Sequence, residues 1–175
     1  MYNILYVTLG CGQFLAQLIT ANLEKNPQGF EKYANADVKW QSREDSFQIN
    51  DKINVSHTKN FTLEEIDKME NVVFISTNTE NDKTILDQRN KFVDGSMRNI
   101  EIWKCRTDFH DDVFYFLKRL NKNFYDLPLS KLFDAKNFLQ TFKDVAKFLN
   151  IEVDEKITQD AYTQWIKTNM RLMAK

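Results

Sequence analysis

The chain has 175 residues, enough for one domain with its own core, and its 42% hydrophobic and 28% charged residues are an ordinary globular balance. A net charge of −1 gives no field that would favour nucleic acid or a membrane surface. No apolar run approaches the roughly 20 residues of a membrane helix, and two distant cysteines, Cys11 and Cys105, offer neither a disulfide framework nor metal-ligand spacing.

Met1-Tyr2-Asn3 carries no positive side chain, and Thr8 and Gln13 interrupt the apolar stretch that follows, so no secretory signal is expected. The composition reads as a cytoplasmic protein with free thiols and no metal. No repeat, low-complexity tract or linker divides the chain, and residues 1–175 read as a single domain.

Ile4 to Leu9 is a β-rich apolar run that stops at Gly10-Cys11-Gly12. Phe14, Leu15, Leu18, Ile19 and Leu23 then follow helical spacing, which predicts a helix from Gln13 to about Lys25, ending before Pro27. A strand, a Gly-x-Gly turn and a helix N-terminus make a ready anion site, because free backbone N–H groups and the helix dipole point the same way. The plainer alternative is a tight β–α turn that needs small residues.

Residues 28–51 show no clean period; a short helix near 29–35 is expected, with Phe47-Gln48-Ile49 a short strand. Ile53 to His57 alternates as a strand does. Thr62 and Glu65 form a capping-box pair, Phe61 and Ile66 stand at the staple positions, and a helix from Leu63 to Met69 follows. Asn71 to Ser76 is a continuous apolar run, the pattern of a strand covered on both faces. A polar turn leads to a helix over Asp82–Val93 with Gly95 beyond its end.

Residues 100–104 read as a strand or as irregular chain. Asp111 or Asp112 begins a helix carrying Val113, Phe116, Leu117 and Leu120, and Phe124 to Leu127 is a short apolar piece before Pro128. Asp134 is the expected cap of a helix whose stripe is Phe138, Leu139, Phe142, Val145, Ala146 and Leu149. Thr158 is the expected cap of a last helix with Tyr162, Trp165, Ile166 and Met170. Strands alternating with helices predict an α/β fold with a mainly parallel sheet and a helical C-terminal part. In such sheets ligands sit at the carboxyl ends of strands.

The order of these pieces resembles the P-loop sulfotransferase family. Gly10 to Leu15 looks like the loop that holds the 5′-phosphosulfate of the donor. Val55-Ser56-His57-Thr58 is similar to the strand that ends in the family's general-base histidine. Asn71 to Thr79 is similar to the strand and turn that bind the donor's 3′-phosphate. Phe124–Leu127, Phe148-Leu149-Asn150-Ile151 and Trp165 follow the family's C-terminal pattern of an acidic-Leu piece, a helix ending in Phe-Leu-Gly and a helix with a Trp. Short proteins of this shape also occur in bacteriophages.

The resemblance implies a P-loop-type three-layer fold, 3′-phosphoadenosine 5′-phosphosulfate as donor and a small-molecule or protein hydroxyl as acceptor. His57 would be the base. Gly10, Cys11, Gly12, Gln13, Phe14, Ser76 and Thr77 would surround the donor. Two departures stand against turnover. No Lys or Arg lies in residues 10–15, and Thr77 stands where the family has an Arg. Each missing charge-assisted contact is worth roughly 1.5–3 kcal/mol. The rival reading is therefore an inactive fold kept as a binding or structural protein, with a protein partner. A third reading, a nucleotide or nucleoside kinase of P-loop type, is weaker, because the chain has no Gly-Lys-Ser/Thr.

Other candidates carry less. Lys83 or Arg89 would stand in for the missing Arg only if their helix turned them to the site. His110 reads as a surface residue, and Lys118, Arg119 and Lys122 form a small basic spot offset by acids. Cys11 beside His57 would make a nucleophile pair if both were accessible.

Overall fold

The computed structural model describes residues 1–6, 11–25, 46–56, 61–92 and 111–173. The expected helix near 29–35, the expected strand at 100–104 and the expected cap at Gly95 lie outside them.

Five strands form one sheet: β1 (Tyr2–Tyr6), β2 (Ser46–Asn50), β3 (Ile53–Ser56), β4 (Val72–Ser76) and β5 (Phe124–Pro128), in the order β2-β3-β1-β4-β5. β3, β1, β4 and β5 are parallel, and β2 adds antiparallel beside β3. The α/β class with a mainly parallel sheet is thus the observed one. The apolar run at 72–76 is buried at every position, as a strand covered on both faces must be. Phe47-Gln48-Ile49 is indeed strand. Phe124 to Pro128 completes the parallel set, and Pro128 pairs at the last register position with Ser76.

The described helices are α1 (Gly12–Glu24), α2 (Leu63–Lys68), α3 (Glu80–Phe92), α4 (111–119), α5 (Leu129–Leu132), α6 (Phe138–Leu149) and α7 (Glu155–Met173). They cover both faces of the sheet. Phe74 of β4 and Phe124 of β5 both touch Phe114 of α4, whereas Tyr125, one residue on, touches Phe148 of α6. Successive strand residues point to opposite faces, so α4 and α6 lie on opposite sides. The crossover handedness gives the same answer. The step from β1 to β3 and the step from β3 to β4 run in opposite directions, and right-handed connections put α1 and α2 on opposite faces.

Local signals account for most helix ends. Thr62 and Glu65 form the reciprocal capping box, and the staple residues Phe61 and Ile66 both enter the core. α1 stops at Lys25, which takes a left-handed conformation and returns its N–H to Ala21, so the helix ends before Pro27 as expected. α6 ends at left-handed Asn150, with the Ile151 N–H returning to Ala146 at 2.8 Å.

Two expected caps belong to other residues. α6 begins at Phe138, and Asp134 instead closes the preceding turn by accepting from the Asn137 amide and side chain. α7 begins at Glu155, capped by Asp154, which accepts from Ile157 N–H at 3.0 Å. Thr158 lies within that helix, fully buried, and shares a network with Asn22 of α1. Asn22 also accepts from Asp154 N–H at 2.8 Å, so one buried amide joins α1 to the start of α7.

Candidate functional site

Among the described strands the order sets a switch point between β1 and β4. From the end of β1 the chain leaves toward β3, and from the end of the neighbouring β4 it leaves toward β5. Two adjacent parallel strands whose connections part in opposite directions leave a gap at their carboxyl ends. Tyr6 pairs with Ile75 across that line, and Gly12 in the first turn of α1 packs on the Tyr6 ring, so the start of α1 and the turn into α3 lie at the same end of this strand pair.

Cys11, Gly12, Gln13 and Phe14 are the cap and first turn of α1. Cys11 is buried and left-handed, with φ 62° and ψ 21°. That conformation is unusual for a side chain other than Gly, Asn or Asp and costs roughly 1–2 kcal/mol. Gly12 has an ordinary negative φ. Its role is close approach: a Cβ there would stand 2.1 Å from Cδ1 of the Tyr6 ring. The two residues thus divide the work expected of the Gly-x-Gly turn in an unexpected way.

The Cys11 side chain makes no cap bond to α1, and the helix's first turn contains no acid. α2 and α3 differ, since each begins with acidic residues: Glu64 and Glu65 in α2, Glu80 and Asp82 in α3. Gln13 is half-buried, and the Phe14 ring turns away into the core, stacked on Trp165 at 4.0 Å. Phe14 is therefore a packing residue with its backbone at the turn. Cys11 is 1% exposed, which leaves its thiol no open approach for nucleophilic chemistry.

On the other side of the gap Ser76 ends β4, buried, and Thr77 follows half-buried. Thr79 then caps α3: the Asp82 amide donates to its hydroxyl at 3.1 Å, and its own N–H and O–H donate to Asp82 Oδ2 at 2.9 and 2.6 Å. The start of α3 is thus at Glu80, two residues before the expected Asp82. Lys83 pairs with Glu80 at the exposed surface. The expected base His57, the neighbouring Gly10 and Thr8, and the second histidine His110 lie outside the described residues.

Two features escaped the sequence reading. Asp82 is completely buried, and its Oδ1 accepts from Ser130 N–H at 2.6 Å, just beyond the end of β5. The Thr79–Asp82 spacing repeats that of Thr62–Glu65 and signals the cap, but nothing in the sequence signals Ser130. Tyr162, read as a stripe residue, stacks on Phe138 at 3.7 Å, and its hydroxyl is buried with no hydrogen-bond partner among the described residues. Burial, and then the nearby Asp134 carboxylate, push its phenol well above the ordinary tyrosine range.

Among the described residues no group of three His, Cys, Asp or Glu side chains is placed to hold a metal, and no helix is long and apolar enough to cross a membrane. Compared with known proteins, the chain matches no family model, no curated protein and no solved structure. Fold and site define the chain as an α/β protein with a mainly parallel sheet and a crevice where its strand connections diverge.

Proposed function

We propose that the chain is a sulfotransferase-like protein that binds a 3′-phosphoadenosine-type nucleotide in the gap between the α1 and α3 turns. The observation that carries this reading is the divergence of the connections after β1 and β4, the position where parallel sheets take their ligands. The acid-free first turn of α1 is compatible with an anion at one wall. Ser76 and Thr77 flank the other. Asn150 takes the left-handed helix-end position for which the family uses Gly, so that departure is conservative in backbone terms.

In the reaction this implies, His57 removes the proton of an acceptor hydroxyl as its oxygen attacks sulfur. The bond from sulfur to the 5′-phosphate oxygen breaks, and the bisphosphate leaves. An imidazole near neutrality suits that proton transfer. Neither a metal nor a covalent enzyme intermediate enters.

The test is a thermal titration with 3′-phosphoadenosine 5′-phosphate and, separately, ATP. At about 100 times Kd a ligand adds about 2.7 kcal/mol, roughly 5–10 °C for a chain of this size. A rise with the bisphosphate alone supports the reading. A rise with ATP alone favours a kinase, and no rise with either at millimolar ligand removes the nucleotide. Full sulfuryl transfer by His57→Ala would remove that residue from the chemistry.

A second reading rests on charge. Residues 11–15 and 76–79 contain no Lys or Arg. A turn with backbone N–H groups and neutral side chains alone holds a multiply charged donor weakly. A fold retained for binding a protein, without turnover, fits that composition. A stoichiometric complex formed equally with and without nucleotide would favour it.

A further inference from the structure

We infer that Asp82 is a positioning residue for the crevice: its carboxylate ties the turn after β4 to the turn after β5 and holds Thr77 between fixed points. The ligand role of this device rests on the proposed nucleotide reading; the device itself does not.

Three donors converge on one buried side chain. Thr79 N–H and Thr79 O–H meet Oδ2, and Ser130 N–H meets Oδ1. Asp82 is 0% exposed, and none of the ion pairs among the described residues includes it. A carboxylate accepts at both oxygens, whereas an amide of the same shape accepts at one and donates at the other. Asn at this position would therefore aim an N–H at Ser130 N–H or at the Thr79 donors. The three bonds make Asp, and not Asn, the residue that fits.

The connection closes a ring. The β4–β5 ladder ends with Ser76 opposite Pro128. Thr79 is three residues beyond Ser76, and Ser130 two beyond Pro128. With Asp82 joining Thr79 to Ser130, the β4 turn has fixed ends and two residues between them, Thr77 and Asn78. Thr77 is one wall of the gap. A binding wall works when its supporting contacts fix it before the ligand arrives. A capping box confined to α3 would leave that turn tied only to its own helix.

Amide hydrogen exchange on the full chain tests the tie, and calorimetric titration with 3′-phosphoadenosine 5′-phosphate tests its use. In the unaltered protein the Ser130 amide exchanges as slowly as the ladder amides of β4. In Asp82→Asn it exchanges at least about tenfold faster while the Val73 and Ile75 amides keep their rates, and Kd for the bisphosphate rises about tenfold or more. Thr79→Ala removes the cap hydroxyl but leaves the Ser130 bond, so Ser130 stays protected.

A Ser130 amide that exchanges like an exposed one in the unaltered protein overturns the inference without any variant, even if Asp82→Asn does not fold. Unchanged Ser130 exchange in Asp82→Asn overturns it as well. Faster exchange with unchanged affinity leaves a tie that positions nothing for the ligand. If the unaltered protein does not bind the bisphosphate, the nucleotide reading and the ligand role fall together, and exchange alone then decides the tie.

Discussion

The ring of Tyr6 fills the space that a side chain on Gly12 would need, with Cδ1, Cε1 and Cγ between 2.1 and 2.6 Å from that Cβ position. The strand that leads into the turn thus packs its last described ring against the first residue of the helix that leaves it. Gly12→Ala must move either the ring or the helix. The expected loss is about 1–3 kcal/mol, the usual range for an extra methyl in a packed interior. Urea unfolding checks it. In a Tyr6→Ala background the same change should cost much less, and an equal cost in both backgrounds would deny the contact.

Cys11 is buried in the turn, so its thiol should react slowly in the folded state. In a Cys105→Ser background, a disulfide reagent should modify Cys11 only as fast as the turn opens, and rapidly once the chain is unfolded in urea. Rapid modification of the folded protein would show an accessible thiol and revive the nucleophile reading set aside above.

The start of α2 tests local capping apart from the site. Thr62→Ala removes the acceptor for Glu65 N–H and the hydroxyl's own bond to the Glu65 carboxylate, and leaves the bond from Thr62 N–H to that carboxylate in place. The expected loss is about 0.5–2 kcal/mol by urea unfolding, and Thr62→Ser should recover most of it. Equal losses in both variants would point to the lost methyl and away from the cap.

Tyr162→Phe should stabilise the protein. The hydroxyl is buried, and no described residue bonds it, so deletion removes a desolvated group at no loss of a bond; the gain is about 1 kcal/mol. Its pH dependence follows. The folded phenol is held above its ordinary range, so the neutral form is the one the fold favours. Above about pH 10 the unfolded chain ionises and the folded one does not, so stability falls as pH rises. Tyr125, also raised by burial and by Asp144, adds to the fall. Tyr162→Phe should flatten the decline above about pH 10 without abolishing it. A decline unchanged by the substitution would mean that the phenol is solvated.

Elements whose signals are local were legible in the sequence. The apolar run at 72–76 had the pattern of a strand buried on both faces, and it is one. The Thr62–Glu65 pair with Phe61 and Ile66 marked a helix start within one turn. The stripe from Phe138 to Leu149 became the buried face of α6, because periodicity alone decides which side of a helix can be hidden. Helix starts were less secure where several residues could serve. Asp134 and Thr158 both have the chemistry of a cap, and the neighbours that packing supplied made Asp154 the cap of α7 and left Thr158 a buried partner of Asn22.

The sequence by itself determined the α/β class, the strands and helices with strong periodicity, and the small-residue turn after the first strand. Tertiary structure decided what the turn's residues do: Cys11 takes the left-handed backbone, Gly12 makes room for Tyr6, and Phe14 leaves the site to stack on Trp165. It also decided that the connections after β1 and β4 part in opposite directions, and that Asp82 reaches Ser130, 48 residues away. The physical reason is the range of the interactions. Capping, periodicity and turn propensity act within a few residues and are written in order along the chain. Strand order, close approach of rings to backbone and the convergence of donors on a buried carboxylate depend on segments that meet only when the core closes.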